Sequence, residues 1–532
     1  MFASANQPRR HALLSAARLS LLGTLSGLGA LGAVRSGLAQ TVPSKLETNA
    51  TTATAQTQSA WRAMSRVGYG PSPALAAAVQ AARSPQDWAL QQIGLARAAS
   101  QQPPVIAADL MDFNAPLPQL FASEQREREL RKQIKTDTAT PSNPAPVPGE
   151  DAPTERRMDF SNPLSPAFFS RRLTLQTAAW RLSSCSQPEL ENPLLARMTE
   201  FWFNHLNVFI GKGAVRPYVG HYLVHAIRPH ALGRFEDLLL ASARHPAMLL
   251  YLDQAKSVAE GSPGGQGKTR GLNENYAREL MELHTLGVNG GYTQSDVREL
   301  ARVLTGWTIG PQEEAGFRFA PRLHDHGTKR VLGQTFPTSS ASSGEQEGVD
   351  AIRLLARHPA TAQRISLRLA QFFVADKPPP ALVAQLSQTF LTSQGDISAV
   401  MATLLNATDF WAPANRLFKT PMDFACSALT ATQSATDTDR HGLVLATGYL
   451  ASAGQPLHGW QTPDGYPFDA ATWLAPEALT RRADFALALA RQLPRLEFLM
   501  PYLSATTQDT ITRERPALQA GLMLASPDFM YK

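Results

Sequence analysis

From Ser165 onward, apolar residues recur three and four positions apart and almost nowhere alternate, which restricts the chain to helices packed on helices. Phe168, Leu175, Ala179 and Leu182 form one such stripe, and others run through Ser186 to Phe209, Tyr218 to Arg228 and Phe235 to Ala243. Helical spacing returns from Glu347 to Val374, Pro380 to Thr392, Ile397 to Asn406, Pro421 to Ala451 and Glu477 to Leu493. The interruption is a pair of β-like runs, Phe317 to Phe319 and Arg330 to Leu332, flanking PRLHDHGTK. The expected fold class is therefore mainly α: a multi-helix globular body with a short β-hairpin-like excursion near 316–333. At 532 residues and 43% hydrophobic content, the chain can bury a sizeable core.

Residues 1–39 place Arg9 and Arg10 before a Leu-, Ala- and Gly-rich stretch that ends in the small residues Gly37 and Ala39. That is the layout of a secretory signal cleaved after Ala39, and the arginine pair permits the twin-arginine route. No later stretch approaches eighteen consecutive apolar residues, so no permanent membrane span is expected after cleavage, and the expected location is periplasmic or extracellular. Residues 40–58 read as a flexible lead-in and 59–135 as an N-terminal helical region, with Ser84 capping one helix and a charged helix over 118–135. Six prolines make 136–163 a linker or long loop, and 164–532 forms the main helical body. The net charge of +6 includes four arginines among the first forty residues, where no acid stands, so +2 remains beyond them and no nucleic-acid partner is expected. Two cysteines, Cys185 and Cys426, fit no metal-ligand spacing; they read first as buried thiols, with a single disulfide as the alternative.

Polar residues concentrate in three places. On a regular helix from Asn273 to Leu286, Glu274, Asn275, Arg278, Glu279 and Glu282 share one arc, either as an ion-pair ladder or as a face toward a cation or substrate. His284 falls on the apolar arc; Thr293 opens a second helix in which Val297, Leu300, Ala301 and Leu304 face inward. In MTEFWFNHLNVF, Glu200, Asn204 and Asn207 share one face, while His205 lies among aromatics whose desolvation favours a neutral imidazole. Third, His324, Asp325 and His326 precede Lys329 in an irregular segment, where an HxH can serve one ion with Asp325 behind it.

The expected site thus assigns catalysis to His205, Glu279, Glu282, Arg278 and Lys329, and substrate contacts to Asn204, Asn275 and Glu274. A divalent cation would rest on His205, Glu279, His324 and Asp325, converging between helices; any other cofactor is unknown. Two motifs are set aside. SPGGQGKT lacks the leading glycine and preceding strand of a phosphate loop, and HYLVH at 221–225 lacks the glutamate of HExxH and reads as a helix-surface pair.

FWFNHLNVF, HALGRFEDLLLASARHPAMLLYLD, NENYARELMELHTLGVNGGYTQSDVRELARVLTGW, the HD-then-K pattern of LHDHGTKRVLG and the terminal ASPDFMYK resemble the bacterial family called domain of unknown function 1800. The resemblance runs from about Trp61 to the end. Asn204, His205, Asn273, Glu274, Asn275, Arg278, Glu279, His324, Asp325 and Lys329 match the family's pattern; His326 does not. The resemblance implies an exported, mostly helical protein, with an exported sulfatase-like protein as a partner, and carries no activity. The two functions that follow are an envelope-associated enzyme with a His/Glu/Asp polar cleft, and a non-enzymatic binding or assembly factor for an exported partner or envelope glycan.

Overall fold

Short polar side chains followed by proline start many of the helices. Ser72 accepts from the Leu75 amide ahead of helix Pro73–Ala81, Ser84 from Asp87 ahead of Pro85–Ser100, and Asn192 from Leu194 and Leu195 ahead of Pro193–His205. Thr293 with Asp296 and Thr420 with Asp423 form reciprocal capping boxes. A computed structural model describes residues 45–139 and 164–532, apart from 263–270, 340–342, 435–439, 492, 494 and 495. The signal-like segment 1–39, most of the proline-rich stretch and the SPGGQGKT loop beyond Ser262 lie outside the described residues.

The architecture is mainly α. The helix containing Trp61 begins at Lys45, so residues 45–58 continue it rather than form a loose lead-in; Ala and Gln between the threonines are compatible with that. The run Glu347 to Val374 is two helices, Gly344–Ala356 and Pro359–Phe373, because Pro359 cannot donate to the preceding turn and His358 caps the next one instead. Likewise Pro421 to Ala451 divides into Pro421–Thr432 and His441–Ser452. Strand β1 (Trp307–Ile309) pairs antiparallel with β2 (Phe317–Phe319), and β3 (Lys329–Val331) with β4 (Gln334–Phe336), so the excursion is two hairpins rather than one. Residues Thr52–Lys532 form one compact unit. No helix among the described residues is long and apolar enough to cross a membrane.

In helix Phe169–Ser186 the inward stripe is Phe169, Leu173, Thr177 and Trp180, and Leu175 points out, 57% exposed. Cys185 at its end is bonded to Cys426 in the middle of Pro421–Thr432, which settles the cysteines as a disulfide rather than two thiols.

Beside that bond lies a buried charge network. Asp423 takes ion pairs from Arg197 and from Lys532, all three nearly solvent-free. The ASPDFMYK tail reaches it because Lys532 and Met530 pair with the backbone of Leu417 and Lys419, while Arg66 donates to the carbonyls of Phe410 and Lys532. Flanking guanidinium and ammonium groups hold the Asp423 carboxyl far below the usual carboxylate range despite its burial. Asp423→Asn keeps the shape but leaves two buried cations without a counter-charge, a loss of about 3–5 kcal/mol. Urea unfolding of the variant and the parent measures it; equal midpoints would refute a structural role for the network.

Candidate functional site

The helix expected from Asn273 to Leu286 does not run as a regular α-helix. Asn275–Glu279 is α-helical, but Leu280–His284 widens into a π-turn, sealed by the Thr285 hydroxyl donating to the Leu280 carbonyl at 2.6 Å and by the Gly287 amide reaching Met281 at 3.2 Å. Residues beyond Glu279 are therefore rotated from the positions a 100° wheel gives them. Glu274 pairs with Arg278 at 3.2 Å, but the ladder stops there, since Glu282 instead accepts from the Tyr292 hydroxyl. Asn275 and Asn273 donate to the carbonyls of Leu252 and Asp253 and fix this element to helix Pro246–Tyr251. Their roles are structural, and Glu274 is further occupied by Gln294 at 2.6 Å.

The HD-then-K segment folds into partners of its own. Asp325 takes a two-pronged pair from Arg302, at 2.7 and 3.2 Å, and accepts from the Gly327 amide. His324 donates Nδ1–H to the Thr305 carbonyl at 2.8 Å, turning Nε2 toward Glu347 and Lys329, while Lys329 pairs with Glu347 at 2.6 Å in full burial. His326 lies outside, against the Pro321 carbonyl. These contacts are unlike those of His205, so the four expected metal ligands do not converge: Asp325 is held by Arg302, and His324 faces Lys329. Among the described residues, no group of three or more His, Cys, Asp or Glu side chains is arranged to hold a metal ion. Lys329, expected in catalysis, is buried in that pair.

Asn204 forms a two-way amide pair with the backbone of Tyr466, at 2.9 and 2.8 Å, and Asn207 donates to the carbonyls of Trp460 and Thr462. A Cβ at Gly465 would stand 2.1 Å from the Asn204 carbonyl, so only glycine allows this approach. Both asparagines thus clamp the loop 457–468, and Asn204 is not free to bind substrate. Glu200 on the same face is taken by Arg181 at 2.6 to 2.9 Å.

His205 stands one turn away, stacked on Phe201 and edge-on to Trp202. Its Nε2–H donates to the His284 carbonyl at 3.1 Å, which leaves the Nδ1 lone pair. Burial drives its pKa well below the usual imidazole range, and the positive charges of Arg364 and Arg368 add to the effect. Those arginines, rather than Glu279 or Glu282, are the charges that act on His205.

Arg364 and Arg368 lie one turn apart on helix Pro359–Phe373 and repel each other. Arg364 donates Nε–H to the Leu283 carbonyl at 3.0 Å, and Arg368 lies over the Phe468 ring at 4.4 Å. Arg368 has no hydrogen bond or ion pair among the described residues, unlike Arg181 on Glu200, Arg228 on Glu191 and Arg482 on the Lys419 carbonyl. Glu282 acts electrostatically on Arg364, and Asp464 on Arg368. Glu279 is partly buried with no hydrogen bond or ion pair among the described residues, and burial together with Glu282 raises its carboxyl pKa. Sequence reasoning missed the arginines, though one signal was present: PATAQRISLRLAQFF holds two arginines and no acid, so neither finds a partner within its own helix.

This fold and face define a helical protein with a two-signed polar surface beside a neutral histidine. Residues 62–531 match the family described as Protein of unknown function (DUF1800), and the chain belongs to it. Neither the curated proteins nor the solved structures hold a match to this chain.

Proposed function

We propose that the protein is an exported binding protein that captures an anionic group, a carboxylate or a sulfate, on Arg364 and Arg368. The observation that carries this reading is Arg368, a partly buried guanidinium held near a second one, with no counter-charge paired to either among the described residues. Such a pair is costly when empty and is relieved by an oxyanion that accepts from both. Export is supported by the arginine-led apolar N-terminus and by the Cys185–Cys426 bond, which persists in oxidising compartments.

Calorimetric titration with sodium sulfate tests the binding. The parent protein is expected to bind, and Arg368→Ala to lose about tenfold or more in affinity, the worth of one charge-assisted contact. Because Arg368 pairs with no other polar group among the described residues and is repelled by Arg364, the melting temperature should not fall. An unchanged affinity in the variant, or no binding by the parent, would overturn the reading.

A second reading, acid–base chemistry at the same face, is favoured by the Nδ1 lone pair of neutral His205 and by the readily protonated carboxyl of Glu279.

A further inference from the structure

Lys329, His324 and Glu347 meet out of contact with water, 1%, 3% and 4% exposed. Lys329 comes from strand β3 and Glu347 from helix Gly344–Ala356, and their charged ends stand 2.6 Å apart, Nζ to Oε2. His324 closes the triangle, its Nε2 3.4 Å from Lys329 Nζ and 3.4 Å from the other Glu347 oxygen, Oε1. Because its Nδ1–H is given to the Thr305 carbonyl, that Nε2 carries a lone pair. Burial foremost, with Lys329 adding to it, holds the ring below the usual imidazole range. The imidazole is also lodged in place: Phe319 lies edge-on to it at 5.4 Å, and a Cβ at Gly344 would stand 2.5 Å from its Cδ2.

The chain's other lysine–carboxylate contacts among the described residues lack one part or another of this arrangement. Lys212 and Lys256 reach Asp253 where water reaches it too. Lys532 meets Asp423 in burial, but the second Asp423 oxygen is held by Arg197, a guanidinium that gives up no proton. At Glu347 the second oxygen instead faces a group that both accepts and donates protons.

We propose that Lys329 Nζ and Glu347 Cδ join in an amide bond once the chain has folded, with His324 as the catalytic proton carrier. Two opposite charges out of water lack the hydration that a neutral amine and a neutral acid do not need. His324 Nε2 takes one ammonium proton and hands it to Oε1. The Nζ lone pair attacks Cδ and a C–N bond forms; after a second proton follows the same path, the Cδ–Oε1 bond breaks and water leaves. Of the three ammonium protons, one stays on the amide nitrogen and two depart with Oε1, while Oε2 remains as the amide carbonyl. No oxidant or co-reactant is needed. Holding amine and carboxyl in contact supplies the effective concentration that amide formation lacks in free solution. The product ties β3 covalently to helix Gly344–Ala356, as the Cys185–Cys426 bond ties two other helices.

The test is mass spectrometry of the full chain, purified, denatured, reduced, and cut by trypsin together with a glutamate-specific protease. Cleavage after Arg330 and Glu345 releases 331–345 and should leave Leu323–Arg330 joined to Gln346–Arg353, a species lighter by one water than its two parts. Cleavage of the parent after both Lys329 and Glu347 would overturn the proposal, because a linked side chain is blocked to its protease. Lys329→Arg keeps the charge pair but offers no amine, so its two peptides should come apart. His324→Asn keeps both reacting groups and should form the link about a hundredfold more slowly, read as the linked fraction with time after synthesis. Linking as fast as in the parent would overturn the proton path through the imidazole.

Discussion

Lowering the pH from 7.5 to 5.5 is expected to cost this protein about 7 kcal/mol of folding stability. The cause is five histidines held in the neutral form, His205, His245, His284 and His458 buried and His221 partly so. Burial is the main cause of depression in each, and His221 and His284 are brought down to about 3. Local partners explain why a proton is unwelcome. His245 uses Nδ1 to cap the Ala247 amide, so Nε2 carries the hydrogen given to His221 Nδ1 at 3.0 Å. His458 faces the Arg181 guanidinium through Nδ1 and leaves Nε2 without a partner, as His284 leaves its own Nε2.

The sign follows from these depressed values. Above about pH 6.5 the histidines are neutral folded and unfolded, and their full contribution is present. Below it the unfolded chain binds protons that the folded chain refuses, so stability falls as pH drops toward the folded values. One unit below 6.5 each group forfeits about 1.4 kcal/mol. Urea unfolding at a series of pH values should return an uptake of about four to five protons on unfolding between pH 6 and 5. A midpoint that stays level across that interval would show that the imidazoles find charge partners after all.

These histidines also mark where sequence reading stops. Their burial was partly legible: the FWFNH run places His205 among aromatics, and Val297, Leu300, Ala301 and Leu304 are all buried as their spacing indicates. Capping at Ser84 and Thr293 was equally legible, since a cap needs only its own next three residues. What could not be read was which charge meets which. Glu347 neutralises Lys329 from 18 residues away, Asp423 neutralises Arg197 from 226 away, and Arg302 claims Asp325. A helical wheel assumes regular winding, and the π-turn after Glu279 breaks that assumption within the segment where the acids seemed to define a site. The polar residues of the family pattern turn out mostly to tie segments together, and the free charges lie on helix Pro359–Phe373, which looks like an ordinary two-faced helix.

Reducing the Cys185–Cys426 bond should lower stability by about 5 kcal/mol, on the chain-entropy account of a long closed loop. The bond joins residues 241 apart, so without it the unfolded chain regains freedom over nearly half its length. Little native strain opposes this, because the two helices it joins already pack together. The Cys185→Ser and Cys426→Ser double variant is the cleaner measurement, since Cys426 is fully buried and a reductant reaches it slowly. Its urea midpoint should fall with little change in slope, and at pH 5.5, where the histidines have already removed most of the margin, it should be largely unfolded. A double variant as stable as the parent would mean that the loop is closed as firmly by the Arg197–Asp423–Lys532 network beside it. Combining the double variant with Asp423→Asn separates the two, because neighbouring constraints on one loop should give a joint loss smaller than the two losses taken separately.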